Sequence, residues 1–182
     1  MYIEECFIKD LKILKPKVFN DDRGYFFESY NKKIFEEVVG KPINFVQDNQ
    51  SLSSKNVLRG LHFQSKPFEQ GKLVRVIKGK IFDVAVDIRK SSQTFKKWVG
   101  VELSSENKKQ FWIPSGFAHG YLVLSDEACI HYKTTNHYSR ENENTIIWND
   151  ESIGIEWPNA NEKILSEKDK KGLILTRSNL FN

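Results

Sequence analysis

Short apolar runs separated by turn residues constrain the fold of this chain more than any other feature of its sequence. The run at residues 81–89 alternates from Asp83 onward, with Val84, Val86 and Ile88 on one face and mostly charged residues on the other. Runs rich in β-branched and aromatic residues predict further strands at residues 72–77, 98–103, 111–113, 121–124 and 128–133. Many short strands with little helix indicate an all-β sandwich or barrel, whose interior can hold a small ligand.

Only two segments carry helical signals. Between a cap residue at Asn31 and a glycine at Gly40, apolar residues recur at helical spacing, which predicts a short helix. Ser166 and Asp169 have the spacing of a capping box, which predicts the start of a second short helix. No linker, repeat or low-complexity segment interrupts the sequence, so we expect one domain over residues 1–182.

The composition narrows the class of protein. The 182 residues are 39% hydrophobic, enough for a core, and the formal net charge of +4 suits an anionic small ligand better than nucleic acid. Cys6 and Cys129 match no metal-ligand or redox spacing, which favours free thiols in a reducing compartment. The first ten residues lack the apolar run of a signal peptide, and no stretch has the length of a membrane span, so we expect a cytoplasmic protein.

The signatures of metal and nucleotide cofactors are missing from the sequence. Neither His62 nor His119 stands in a His-x-His pair, so we predict no bound metal. The Gly71-Lys72 pair lacks the other residues of a phosphate-binding loop, and no dinucleotide-binding glycine pattern is present. Catalysis by side chains alone, with no cofactor, is therefore the prediction.

Four residues are candidates for acid–base chemistry, and each also has a structural interpretation. His62 can take a proton near neutral pH, or it is a hydrogen-bonded core or rim histidine. Asp169 either orients that imidazole or caps a helix. Tyr132 is a proton donor or a core aromatic with a satisfied hydroxyl. Lys72 stabilises an oxyanion if it points inward and is a solvated edge lysine if it does not.

An ordered series of motifs extends along nearly the whole chain. Three of them are DRGYFFE at residues 22–28, VLRGLHFQ at 57–64 and WIPSGFAHG at 112–120. The other motifs lie at residues 46–51, 70–74, 82–89, 132–134, 148–150, 154–158 and 165–169. In this order they resemble the dTDP-4-dehydrorhamnose 3,5-epimerase family of cupin-fold enzymes, and their joint order is highly specific.

The resemblance implies a cupin-type β-barrel or jelly roll with a few short helices, forming a homodimer with an exchanged N-terminal strand. It implies dTDP-4-keto-6-deoxyglucose as substrate and dTDP-4-keto-rhamnose as product. His62 is then the general base with Asp169 as its partner, Tyr132 the general acid, and Lys72 the group that meets the enolate oxygen. The nucleotide- and sugar-binding positions that it implies are Arg23, Glu28, Gln47, Asp48, Asn49, Arg59, Lys72, His119, Glu143 and Lys168.

Two departures from the family pattern and several rival functions stay open at this point. Residues 91–96 lack an expected proline and glycine, and His131 stands where an apolar or acidic residue is common. A 3-only epimerase, a 5-only epimerase or a ketoisomerase would use a similar barrel. A non-catalytic sugar-nucleotide binding module and a metal-dependent cupin oxygenase are rivals from other classes.

Overall fold

The computed structural model describes residues 1–158, 163–178 and 180–181, and β-strands are its main regular element. The strands are β1 (Tyr2–Glu5), β2 (Lys12–Lys15), β3 (Val18–Asp21), β4 (Gly24–Phe27), β5 (Gln47–Ser54), β6 (Leu58–Gln64), β7 (Lys72–Lys78), β8 (Lys80–Asp87), β9 (Trp98–Ser104), β10 (Gln110–Ile113), β11 (Phe117–Val123), β12 (Glu127–Thr134) and β13 (Glu143–Thr145). The α-helices are α1 (Lys32–Val39) and α2 (Glu167–Lys170), and single 3₁₀ turns lie at Arg140–Asn142 and Leu175–Arg177.

The strands form two antiparallel sheets and one hairpin. The larger sheet has the order β1-β2-β10-β7-β12-β5, and the smaller has the order β13-β6-β11-β8-β9. Strands β3 and β4 form a separate two-stranded hairpin. Neighbours in each sheet are mostly distant in sequence, as in jelly rolls, where the chain passes repeatedly between two sheets. The predicted all-β, cupin-type fold is confirmed.

One apolar cluster fills the space between the two sheets. Val74 and Ile130 of the larger sheet pack with Ala85, Val101 and Tyr121 of the smaller sheet in this cluster. Because side chains alternate along each strand, the other face of each sheet needs its own cover.

Each outer face has such a cover over part of its area. On the smaller sheet, Val84 and Val86 pack under Ile153, Trp157 and Leu175 from the C-terminal segment. The two faces expected for the alternating run of β8 are therefore confirmed, and both are buried. The larger sheet packs its Leu14, Leu73 and Trp112 against Phe35 of α1 and Ile43.

The helices begin as predicted. The Asn31 side chain accepts the Ile34 N–H, and α1 ends at Gly40 with a left-handed φ of 76°. Ser166 caps α2 by accepting the Asp169 N–H. Strands β1 to β6 and β13 were not predicted, because their sequences are short or polar and lack a clear alternation.

Candidate active site

A β-bulge turns Arg59 and His62 of β6 toward the interior. Residues three apart in a regular strand point to opposite faces. Here three steps along β6, from Arg59 to His62, pair with two steps along β11, from Tyr121 to His119. The extra residue restores the inward direction, in the way that bulges re-aim side chains.

His62 and Asp169 form a close pair. The His62 Nε2 atom lies 2.5 Å from Asp169 Oδ1, with the His62 side chain 24% exposed and the Asp169 side chain 3% exposed. An ionised carboxylate can only accept, so Nε2 carries the proton and the lone pair of the neutral ring is on Nδ1. The second carboxylate oxygen accepts the Ser166 hydroxyl at 2.8 Å, so the serine that caps α2 also holds the carboxylate that contacts the imidazole.

Electrostatics keep this pair in a state suited to proton abstraction. Burial lowers the pKa of His62 below its ordinary 6.5, and the hydrogen bond to Asp169 opposes that shift only in part. Burial alone would raise the pKa of Asp169, but hydrogen bonds from His62 and Ser166 hold it below 3.8. The imidazole is therefore neutral and the carboxylate ionised at pH 7.

Lys72 lies inside the fold at the first position of β7. It is 9% exposed, and its Nζ donates to the His62 carbonyl oxygen at 3.4 Å. Burial lowers the pKa of Lys72 from 10.5 to about 8, although Asp83 and Glu143 attract its charge. The ammonium form still predominates at pH 7, and the interpretation as a solvated edge lysine is wrong.

Tyr132 reaches the interior from the other sheet. It lies on β12, paired with Asn49 of β5 and Val74 of β7, and it packs against the central cluster. Burial raises the pKa of Tyr132 above its ordinary 10, and the nearby Tyr121 phenol adds to this, so the phenol is protonated across the neutral range.

These groups meet in one cleft. His62 lines it from the smaller sheet, and Lys72 and Tyr132 line it from the larger sheet. The His62 imidazole and the Tyr132 phenol therefore face the same space from opposite sheets, and the Lys72 ammonium faces it as well. The cleft is completed by polar and aromatic residues, namely Gln47, Asn49, Phe63, Gln64, Gln70, Tyr138 and Glu143.

His119 belongs to a second, more deeply buried pair behind this cleft. It pairs with His62 across β11 and β6, and its Nε2 lies 2.6 Å from Asp83 Oδ1. Neither His119 nor Asp83 lines the cleft. Sequence reasoning did not assign Asp83 a role, although an acid in an inward-facing position of a strand was the available signal.

The predicted binding residues divide between the cleft mouth and other surfaces. Glu143 accepts from Lys168 Nζ at 2.7 Å and from the Tyr138 hydroxyl at 3.2 Å, which forms one rim of the cleft. Burial alone would raise the pKa of Glu143, but the hydrogen bond from Lys168 holds it below 4.5. Asp48 instead faces the outer side of the sheet, where it pairs with Lys133 at 3.0 Å.

Arg23 and Glu28 lie away from the cleft of their own chain. Arg23 is at the tip of the β3–β4 hairpin, where its side chain is 90% exposed and pairs with Asp21. Glu28 follows the same hairpin and is also exposed. A single copy of the chain does not bring these two residues to His62.

The arrangement is suited to moving protons at carbon atoms. It supplies a neutral base, a protonated phenol and a buried ammonium around one cleft, which are the elements of enolate chemistry. Among residues 1–158, 163–178 and 180–181, no group of three or more His, Cys, Asp or Glu side chains could hold a metal ion.

Comparison with known proteins gives the family. The family model described as dTDP-4-dehydrorhamnose 3,5-epimerase matches residues 5–177. The chain belongs to this family. A dTDP-4-dehydrorhamnose 3,5-epimerase of Shigella flexneri is 62% identical over 174 residues, covering 96% of each chain, and that of Escherichia coli K12 is 60% identical over 164 residues, covering 90% of this chain and 89% of the other.

A solved structure of the dTDP-4-dehydrorhamnose 3,5-epimerase family shows the same fold. The dTDP-6-deoxy-D-glucose-3,5-epimerase of Legionella pneumophila, solved with dTDP-4-keto-L-rhamnose, is 51% identical, has a TM-score of 0.94, and aligns over 97% of this chain and 93% of its own. The predicted family and isomerase class are thus confirmed. In the described part of the chain, no helix is long and apolar enough to cross a membrane.

Proposed function

We propose that this chain converts dTDP-4-dehydro-6-deoxy-D-glucose to dTDP-4-dehydro-L-rhamnose by inverting carbons C3 and C5. The observation that carries the proposal is the cleft in which His62 and Tyr132 approach from opposite sheets, with Lys72 beside them. The family relationship supports the substrate. Epimerisation leaves oxidation states unchanged, so the side chains are sufficient for the chemistry.

His62 removes the proton in this mechanism. The C4 ketone acidifies the hydrogens on C3 and C5, and the His62 lone pair on Nδ1 takes one of them. The Asp169 carboxylate then stabilises the imidazolium that forms, at the 2.5 Å contact already present. The lowered pKa of His62 keeps the ring in its neutral, proton-accepting form at pH 7.

Lys72 stabilises the charge that moves onto the C4 oxygen. Its ammonium is buried, so an anion beside it experiences little screening by water. One well-placed donor to a developing oxyanion contributes about 3–4 kcal/mol to catalysis.

Tyr132 returns a proton from the other face of the ring. Inversion requires an acid opposite the base, and β12 carries Tyr132 on the sheet that faces β6. The raised pKa of Tyr132 keeps the phenol protonated until the carbanion is formed.

The nucleotide is proposed to lie along the cleft mouth. Gln47, Asn49 and Glu143 line the cleft, and Lys168 joins its rim through Glu143. The Arg59 guanidinium, inward-facing on the strand of the base, is proposed to bind the diphosphate, since Arg matches the geometry of phosphate oxygens.

We also propose that the chain acts as a cytoplasmic homodimer. The β3–β4 hairpin exposes Phe19, Tyr25 and Phe26, a large apolar surface for one short element. Arg23 and Glu28 belong to the same hairpin segment and do not line their own cleft. A second copy that receives this hairpin would gain both residues, which fits the homodimer that the family resemblance implies.

The test is an NMR time course with dTDP-4-dehydro-6-deoxy-D-glucose in deuterated buffer. The wild type is expected to exchange the C3 and C5 hydrogens with solvent and to form the doubly inverted sugar. His62→Ala should abolish both exchanges, whereas His137→Ala, which changes an exposed histidine with hydrogen bonds at its backbone N–H and carbonyl, should retain them.

The same experiment separates the rival functions. Exchange at only one carbon would indicate a 3-only or 5-only epimerase, and binding without exchange would indicate a non-catalytic module. If His62→Ala exchanged the C3 and C5 hydrogens at the wild-type rate, His62 would not be the base. Metal analysis of the active protein would identify a metal-dependent oxygenase.

A further inference from the structure

The Arg59 guanidinium is charged and exposed, and no carboxylate neutralises it among the residues that the structure describes. Its side-chain partner is a hydroxyl: Arg59 Nε and Nη2 donate to Ser53 Oγ at 3.1 and 3.0 Å. A guanidinium has five N–H donors, so three remain for an anionic ligand. The charge is thus held in place without being cancelled.

Ser53 is itself fixed within the fold. It is 5% exposed, on the inward face of β5, where residues alternate between partly buried and exposed. Its Oγ lies 3.5 Å from the Tyr121 hydroxyl, which lies 3.2 Å from Ser51 Oγ. Because both Arg59 donors use the lone pairs of Ser53, the Ser53 proton is free to be donated toward Tyr121.

This gives a chain of hydroxyls that begins at the Arg59 cation. The order is Arg59 to Ser53, Ser53 to Tyr121, and Tyr121 to Ser51, which connects β6, β5 and β11. A long arginine side chain loses rotamer freedom when a ligand orders it, and prior fixation removes part of that cost. The arrangement is what pre-organised anion binding requires.

We propose that Ser53 is a positioning residue that pre-orders the Arg59 guanidinium for the diphosphate of the substrate, through the Ser51–Tyr121–Ser53 hydroxyl chain. This inference rests on the proposed function, because it takes the Arg59 ligand to be the nucleotide diphosphate. Ser53 is not among the residues that line the cleft, so its effect falls on binding of the charged ligand and not on the chemical step.

The experiment measures calorimetric dissociation constants for dTDP and for thymidine, which lacks phosphate. Ser53→Ala is expected to weaken dTDP binding by about three- to tenfold, to leave thymidine binding unchanged, and to raise KM with little change in kcat. Ser53→Thr, which keeps a hydroxyl, should restore wild-type binding. Ser54→Ala, on the exposed face of the same strand, is the matched control.

A double-mutant cycle separates positioning from general structural support. In an Arg59→Ala background, Ser53→Ala should have no further effect on dTDP binding. An equal loss in both backgrounds, or parallel losses for thymidine, overturns the proposal. Should Ser53→Ala fail to fold, Ser53→Cys keeps the size with a weak acceptor and is expected to show the same loss.

The two levels of the proposal fail in different ways. If Arg59→Ala weakens dTDP binding strongly and folded Ser53→Ala binds like the wild type, the positioning role is wrong and the diphosphate role of Arg59 stands. If Arg59→Ala binds dTDP like the wild type, the diphosphate role is wrong and the positioning role falls with it.

Discussion

Replacing Lys72 by methionine should make the protein more stable and far less active. Lowering the pKa of a buried lysine from 10.5 to about 8 disfavours its charged form in the fold by about 3 kcal/mol, at about 1.4 kcal/mol per tenfold change. Methionine has a similar length and no charge, so Lys72→Met should gain stability of that order at pH 7. The same change should lower kcat by about 100- to 1,000-fold, because the oxyanion loses its donor.

The sign of the pH dependence follows from linkage. Between about pH 8 and 10.5 the unfolded chain binds the Lys72 proton and the folded chain does not, so the stability of the wild type rises with pH there. The gain in unfolding free energy of Lys72→Met over the wild type should therefore shrink from about 3 kcal/mol at pH 7 to about 2 kcal/mol at pH 9. Urea unfolding of both proteins at the two pH values measures this difference.

The deprotonation of Lys72 that raises stability with pH should lower the catalytic activity. The ammonium is the active form, so wild-type kcat should fall about tenfold per pH unit above about 8. Lys72→Met should lose this alkaline limb and keep the acid limb, which reports His62 protonation below its ordinary 6.5. A variant that is less stable than the wild type, or one that retains the alkaline limb, would refute the assignment of Lys72 as a buried, destabilising cation.

Three further changes test other parts of the site. Tyr132→Phe should retain hydrogen exchange next to the ketone but lose full inversion in the NMR assay, and normal formation of the doubly inverted sugar would point to another acid. Asp169→Asn should lower kcat by at least about 100-fold with little change in dTDP affinity, because the imidazole loses its ionised partner; steady-state kinetics with wild-type kcat would contradict the pair. Gly60→Ala should lower the free energy of unfolding in urea by several kcal/mol, since its Cβ would lie 2.5 Å from Gly120 Cα. Gly24→Ala, at a similar φ but with nothing within 4 Å, should lower it less. Equal losses of stability in the two variants would assign the effect to φ alone.

The strands that carry clear alternation or β-branched residues were predictable from the sequence, and those that carry the polar site were less so. The run at β8 was predicted because Val84, Val86 and Ile88 alternate with polar residues. By contrast, β5 consists almost entirely of polar residues. Of its inward-facing residues, Asn49 lines the cleft, and Ser51 and Ser53 lie beside it on the same strand face. A strand whose inward side chains are polar lacks the apolar signal that identifies strands.

Contacts between residues far apart in the sequence could not be predicted from its periodicity. The bulge that turns Arg59 and His62 to one side depends on the pairing of β6 with β11, which no local pattern encodes. Asp83 was visible as an acid in a strand, but its partner His119 lies 36 residues away. The family resemblance supplied the roles of His62 and Asp169, and the coordinates supplied the contact between them.

The helix cap predicted for Ser166 and Asp169 and the predicted contact of Asp169 with His62 occur together in the structure. Helix α2 has four residues, too few to persist without tertiary contacts. The Asp169 N–H and Oδ2 bond to Ser166, and Oδ1 bonds to His62 107 residues away. The cap therefore fixes the carboxylate that contacts the His62 imidazole, and this contact in turn anchors the short helix to β6. The Asp169 carboxylate joins the Ser166 cap to His62. Removing the cap by Ser166→Ala should therefore disturb the orientation of His62, even though residue 166 is outside the cleft.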